Sequence, residues 1–124
     1  METVLTALAT LCVVANAAIA VADLIPARFV LQNSAAVGVP RGSLPLLAAL
    51  KGSGAVGVAT GLVWLPGLGL AAAIGLTLFY VGAVTAHIRA GVFRTLGFPL
   101  TYLLLAAATG VRFLSSWVHR ARLP

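Results

Sequence analysis

Three ionisable side chains, Asp23, Lys51 and His87, lie in apolar stretches that are long enough to cross a membrane. A charged group inside a membrane span is energetically costly, so each such residue is a candidate for function. A carboxylate, an amine and an imidazole are also groups that exchange protons in general acid–base catalysis. We therefore interpret the three as candidate catalytic residues. Asp23 would be the general acid or base, Lys51 would hold it ionised or polarise an oxygen, and His87 would relay protons to the surface.

Four further polar side chains are candidates for substrate binding: Asn16, Tyr80, Tyr102 and Arg89. The rise of an α-helix places Lys51 about 10 Å and Asn16 about 13 Å from the same side of the membrane. The other candidates fall in the same half of their predicted helices. We therefore predict a common polar pocket in that half, closed by an apolar floor.

Several of these residues also have structural interpretations. Asp23 can end its helix and pair with Arg28 among the headgroups, and Lys51 can extend its ammonium group to the membrane surface. A lone histidine at a helix end, such as His87, is often an interfacial anchor. Arg112 and the basic tail that follows it are interpreted as an anchor at the membrane edge.

The sequence predicts neither a metal site nor a bound cofactor. Its single cysteine, Cys12, lies inside an apolar stretch, so the chain alone has no disulfide and no CxxC redox pair. Metal-ligand spacing, a haem motif and a dinucleotide-binding loop are also missing from the sequence. We expect any redox cofactor to be carried by a partner protein.

The elements that position these residues are predicted to be transmembrane helices. Of the 124 residues, 61% are hydrophobic and only 8% are charged, which leaves too few charged residues to cover a water-soluble fold. Four segments reach the length of about 20 residues that a span requires. They cover approximately residues 3–25, 44–65, 67–88 and 98–117. The first lacks the basic segment that precedes a signal peptide, so we expect it to be a span. The prediction is one all-α domain over residues 1–124, an integral membrane four-helix bundle.

The connections define two membrane faces, which we call face A and face B. Face B carries the first and third connections, and face A carries both termini and the turn at Pro66. The long first connection, Pro26 to Ser43, is either a short amphipathic helix at the interface or an ordered loop. The loop arginines favour face B slightly as the cytoplasmic side. The net charge of +6 comes from loop and tail arginines, and indicates anionic lipid rather than nucleic acid as the partner.

Small residues recur at four-residue spacing in the second and third predicted spans. Gly57 and Gly61 form a GxxxG step, and Ala71 with Gly75 and Gly82 with Ala86 continue the pattern. Such residues let helices approach closely in lipid. We expect them to support packing within the bundle and also a homodimer.

The residues around Lys51 and His87 resemble those of the DoxX-like family of small bacterial membrane proteins. The resemblance covers roughly residues 44–105. It rests on Leu50-Lys51-Gly52, on the apolar run ending in Leu65-Pro66, and on the segment from Gly82 to Arg89. Ser53 and Gly54 depart from the larger apolar residues expected after the lysine. The resemblance implies a multi-pass protein of the bacterial inner membrane.

Two functions are compatible with these residues. In the first, an enzyme without a cofactor performs acid–base chemistry on a lipophilic small molecule from the bilayer, such as isomerisation, epoxide opening or cyclisation. The resemblance to DoxX relatives implies the alternative, a non-catalytic membrane subunit of a redox complex linked to quinones or sulfur oxidation. The four-helix arrangement also resembles that of membrane sterol isomerases, which is an analogy of fold alone.

Overall fold

The computed structural model describes residues 1–123, and all regular structure in that range is helical. Its helices are α1 (Glu2–Leu24), α2 (Arg28–Ala36), α3 (Leu44–Val63), α4 (Pro66–Arg89) and α5 (Gly97–Ala121), with a 3₁₀ turn at Arg41–Ser43 before α3. Four of these segments are long and apolar enough to cross a membrane: Glu2–Leu24, Arg41–Val63, Pro66–Arg89 and Gly97–Ala121. The predicted all-α membrane bundle is confirmed.

The helices differ most from the predicted bounds at the α3–α4 turn and at the end of α5. The turn between α3 and α4 begins at Trp64, two residues earlier than predicted, and Pro66 lies inside α4 rather than before it. A proline fits the first turn of a helix because its missing N–H has no intrahelical partner there. The last helix continues to Ala121 rather than ending near residue 117.

The four long helices form a closed ring in which each packs against two antiparallel neighbours. The packed pairs are α1 with α3, α3 with α4, α4 with α5, and α5 with α1. The first connection contains α2, whose Val30 is buried, so the helical interpretation of that connection is confirmed and the loop interpretation is wrong. The ring brings the ends of all four spans together at face B, beside α2.

The GxxxG step of α3 packs against α4 inside the bundle. A Cβ atom on Gly57 would lie 2.6 Å from the Cβ of Ala72, and one on Gly61 would collide with the backbone of Gly69. The ring of Phe113 fills the space beside Gly69 and is 1% exposed. These contacts form the apolar packing of the face A half, and they occupy the glycine face that we expected to be available for a dimer.

Arg112, interpreted from the sequence as an anchor at the membrane edge, makes side-chain contacts within the bundle. Its Nε donates a hydrogen bond of 3.0 Å to Oγ1 of Thr6, and a terminal nitrogen lies 3.6 Å from the carboxylate of Glu2. The side chain is only 17% exposed. Arg112 therefore joins α5 to the start of α1, and the face A half contains a charged group that points into the bundle.

Candidate functional site

The ammonium group of Lys51 and the carboxylate of Asp23 form a salt bridge between α3 and α1. Nζ of Lys51 lies 2.8 Å from Oδ2 of Asp23, and the two side chains are 12% and 2% exposed. Lys51 lies two turns into α3, and Asp23 lies in the last turn of α1. The lysine stem therefore extends toward face B, but its charge meets a buried carboxylate rather than lipid headgroups or water. Pairing of Asp23 with Arg28 is not observed.

Aromatic rings form one wall beside this salt bridge. Nζ of Lys51 lies 5.6 Å from the ring centroid of Phe79, a distance at which an aromatic face attracts a cation. The ring of Tyr80 meets Phe79 edge-on at 5.0 Å and stacks on Tyr102 at 5.2 Å. Phe79 was not predicted as a site residue. An apolar ring in an apolar helix does not indicate a functional role unless a charged group such as Lys51 is known to lie beside it.

Asn16 and Tyr80 join α1 to α4 through the centre of the bundle. The hydroxyl of Tyr80 donates to Oδ1 of Asn16 at 2.5 Å, and Nδ2 of Asn16 donates to the carbonyl of Cys12 at 2.8 Å. Asn16 is fully buried. The hydroxyl of Tyr102 donates to the carbonyl of Ala15 at 3.2 Å. Asn16 and Tyr80 thus satisfy each other and line no open space.

His87 belongs to a separate cluster that holds α2 and the α4–α5 connection. Nδ1 of His87 lies 2.9 Å from the carbonyl of Ala83, which only accepts, so this nitrogen carries a proton. Nε2 lies 3.3 Å from Oδ1 of Asn33, and this oxygen accepts a 2.7 Å hydrogen bond from Oγ1 of Thr95. Asn33, in the first connection, is not among the site residues predicted from the sequence.

Arg89 is exposed at the end of α4 and lies away from the salt bridge. It lines a surface groove of about 620 Å³, formed by α4 and the residues that follow α2 and α4. The residues lining this groove are Val37, Gly82, Thr85, Ala86, Arg89 and Ala90. A second groove of about 380 Å³ lies on α5 near face A. Neither groove is lined by Asp23 or Lys51.

The predicted site residues therefore form three groups rather than the lining of one open pocket. The first is the Asp23–Lys51 pair with its aromatic wall, the second is the His87 cluster, and the third is the groove at Arg89. Within residues 1–123, no buried side-chain nitrogen or oxygen lacks a hydrogen-bond partner. In the same range, no group of three or more His, Cys, Asp or Glu residues is placed to hold a metal.

The salt bridge has the simplest chemistry of the three groups. Lys51 has three N–H donors, and one of them is directed at Asp23. Among the described residues, no hydrogen bond to a protein acceptor is formed by the other two. A carboxylate that accepts a proton and an ammonium that stabilises a developing oxyanion then stand side by side in a medium of low dielectric.

A comparison with protein families agrees with the four-helix arrangement and with the residues around Lys51 and His87. The sequence model of the DoxX-like family matches residues 7–109, so the match extends beyond the segment of the predicted resemblance on both sides. Searches of curated proteins and of solved structures returned no match. Because the family match covers most of the sequence, including Asp23, Lys51 and His87, the chain belongs to the DoxX-like family.

Proposed function

We propose that this protein binds a lipophilic small molecule at the Asp23–Lys51 pair and performs acid–base chemistry on it. The observation that supports the proposal is the salt bridge itself, 2.8 Å long and almost withdrawn from the surface. Asp23 and Lys51 are held beside an aromatic wall at the face B end of the bundle. The ligand class follows from this setting: an apolar body that fits among helices and carries one oxygen for Lys51.

For a β,γ-unsaturated carbonyl substrate the proposed reaction is an isomerisation. Asp23 removes a proton from the carbon beside the carbonyl group, while the Lys51 ammonium donates a hydrogen bond to the carbonyl oxygen and stabilises the enolate. Asp23 then returns the same proton to another carbon of the enolate system. No proton is lost and no oxidant is needed. Epoxide opening and cyclisation are the other reactions that this pair of groups would support.

His87 has a positioning role in this proposal. Its hydrogen bonds lead to Ala83 and Asn33, and the contacts of the described residues give no path from it to the pair. A relay of protons through His87 would need a bridging molecule. The geometry supports a different task, the attachment of α2 across the face B end of the bundle.

The alternative is a non-catalytic subunit that holds a quinone for a redox partner. One observation favours it: Asp23 and Lys51 are in direct contact, as expected when the pair is structural or only anchors a ligand oxygen. The stacked rings of Tyr80 and Tyr102 would also suit a flat quinone ring. In this alternative, the pair binds the ligand but does not transform it.

The test uses the chain in lipid nanodiscs incubated with a panel of lipophilic β,γ-unsaturated ketones, epoxides and one short-chain benzoquinone, with products identified by mass spectrometry. Turnover by the wild type that is lost in Lys51→Met and Asp23→Asn supports the enzyme. Arg112→Met is the matched control, because it breaks the other internal ion pair and should keep turnover. Quinone binding that depends on the pair, without conversion of any compound, supports the alternative. No binding and no turnover with the whole panel argues against both.

We also propose the bacterial inner membrane as the location and a homodimer as the assembled state. The family and the four spans support the membrane location. Gly75 supports the dimer, since a Cβ atom on it would meet no atom within 4 Å and the α4 surface there is open to another helix. Native mass spectrometry in mild detergent that shows only monomer at all concentrations would contradict the dimer.

A further inference from the structure

The arginines of this chain greatly outnumber the carboxylates that could pair with them. The sequence has eight Lys and Arg residues but only two acidic residues, Glu2 and Asp23. Both acidic side chains are already close to a basic group, Arg112 and Lys51 respectively. The remaining arginines must therefore find their anions outside the chain, and those at the helix ends lie at the level of lipid headgroups.

Arg89 differs from the other unpaired arginines because it stands at the end of a groove built by two elements. One side of the groove is the outer surface of α4, from Gly82 to Ala90, and the other is Val37 after α2. The His87–Asn33 contact holds α2 against α4 and so fixes the two sides relative to each other. By contrast, the second groove is lined by residues of α5 and its C-cap.

The shape of the groove fits a phospholipid better than a free anion. Gly82 lies seven residues before Arg89, which places it about 10 Å deeper in the membrane. The groove thus begins at headgroup level and continues down into the hydrocarbon region.

We infer that the groove between α4 and the end of α2 is a binding site for one anionic phospholipid. Arg89 binds the phosphodiester, since a guanidinium group matches two phosphate oxygens at once. The space above Gly82 receives the first carbons of an acyl chain. This site is separate from the Asp23–Lys51 pair and does not depend on the reaction proposed there.

The test is native mass spectrometry of the protein in mild detergent with equimolar phosphatidylglycerol and phosphatidylcholine. The wild type should retain one phosphatidylglycerol in preference to phosphatidylcholine. Arg89→Gln should reduce that retention about tenfold, as expected for the loss of one charge-assisted pair. Arg94→Gln is the matched control, because it removes the same charge from the same face outside the groove, and it should have little effect.

Gly82→Leu tests the groove without changing any charge. A Cβ atom at Gly82 meets nothing within 4 Å, so the variant should fold, but its side chain should fill the groove and reduce retention as Arg89→Gln does. Gly75 is equally open but lies outside the groove, so Gly75→Leu should not reduce lipid retention. Equal losses in Arg89→Gln and Arg94→Gln, unchanged retention in Gly82→Leu, or full displacement of the lipid by equimolar glycerol 3-phosphate would each overturn the inference.

Discussion

At the scale of single residues, Asp23 occupies a position that helix electrostatics disfavour. It lies in the last turn of α1, where the exposed carbonyl groups give the helix end a partial negative charge. That turn contains no basic residue of its own. Lys51 therefore supplies from α3 the positive charge that α1 lacks, and a buried carboxylate at this place requires it.

The hydrogen bond between Tyr80 and Asn16 gives the first prediction. Tyr80→Phe leaves the Oδ1 atom of Asn16 buried without its donor, which should lower the free energy of unfolding by about 1–2 kcal/mol. Tyr102→Phe is the matched control, because its longer bond to Ala15 is only partly buried and its loss should cost less. Reversible unfolding in a detergent mixture, followed by circular dichroism, measures both. Equal losses of unfolding free energy in the two variants would contradict this prediction, because the Tyr80–Asn16 hydrogen bond would then contribute no more to stability than the Tyr102–Ala15 bond.

The sequence was informative about the depth of these residues and uninformative about their partners. Counting helical rise correctly grouped Asn16, Tyr80, Asp23 and Lys51 in the face B half. Rise fixes a position along the helix axis, but the partner of a side chain also depends on the rotation of each helix about its axis. Asn16 was therefore assigned to an open pocket, although in the structure it binds Tyr80 directly.

At the scale of elements, α2 was the least predictable part of the chain. Its nine residues, Arg28–Ala36, have no side-chain cap, and such a short helix is marginal by itself in water. Tertiary contacts stabilise this helix, since Val30 is buried and Asn33 contacts both His87 and Thr95. These partners lie more than 50 residues away along the chain, so local sequence patterns left helix and loop equally open.

The close contact between α3 and α4 gives a prediction at this scale. Gly61→Ala places a methyl group against the backbone of Gly69, which cannot move without separating the two helices. We expect a loss of about 1–3 kcal/mol of unfolding free energy, the usual effect of overpacking. Gly75→Ala adds the same methyl group where no atom lies within 4 Å, so it should be neutral or slightly stabilising. A thermal unfolding series in one detergent compares the two, and equal stability would mean that this contact is looser than described.

At the scale of the whole molecule, the paired charges leave an excess of arginines at one face. Lys51 and Arg112 are paired with acidic residues of the chain and are left out of this comparison. The remaining arginines at face B, in or beside its connections, are Arg28, Arg41, Arg89 and Arg94. Those at face A are Arg120 and Arg122. Positively charged connections remain preferentially on the cytoplasmic side. We therefore predict that face B is cytoplasmic.

Single cysteines test this orientation. The native Cys12 is fully buried and should not react, so it provides the unlabelled background. Ala90→Cys places an exposed thiol at face B, and Gly67→Cys places one at face A, where added atoms have room. A membrane-impermeant maleimide added to intact cells should label Gly67→Cys only. Labelling of Ala90→Cys alone would reverse the orientation.

The architecture of the molecule was predictable because lipid restricts the possible structures. Backbone groups must be satisfied within each span, so long apolar segments become helices and short connections make neighbours antiparallel. The number of spans, and the grouping of the polar residues in the face B half of the bundle, followed from this restriction. The contacts of Arg112 with Thr6 and Glu2 were not predicted, because they depend on the packing of α5 against α1 rather than on the local sequence.

The most direct test of the account is the unfolding free energy of four proteins: wild type, Lys51→Met, Asp23→Asn and the double variant, measured in the same detergent. Each single variant leaves a polar or charged partner buried without its counterpart, so Lys51→Met should lose about 3–5 kcal/mol, and Asp23→Asn should also be less stable. The double variant should recover much of that stability while remaining inactive toward any compound that the wild type converts. If Lys51→Met keeps the stability of the wild type, the lysine does not depend on Asp23, and the functional site proposed around the pair is wrong.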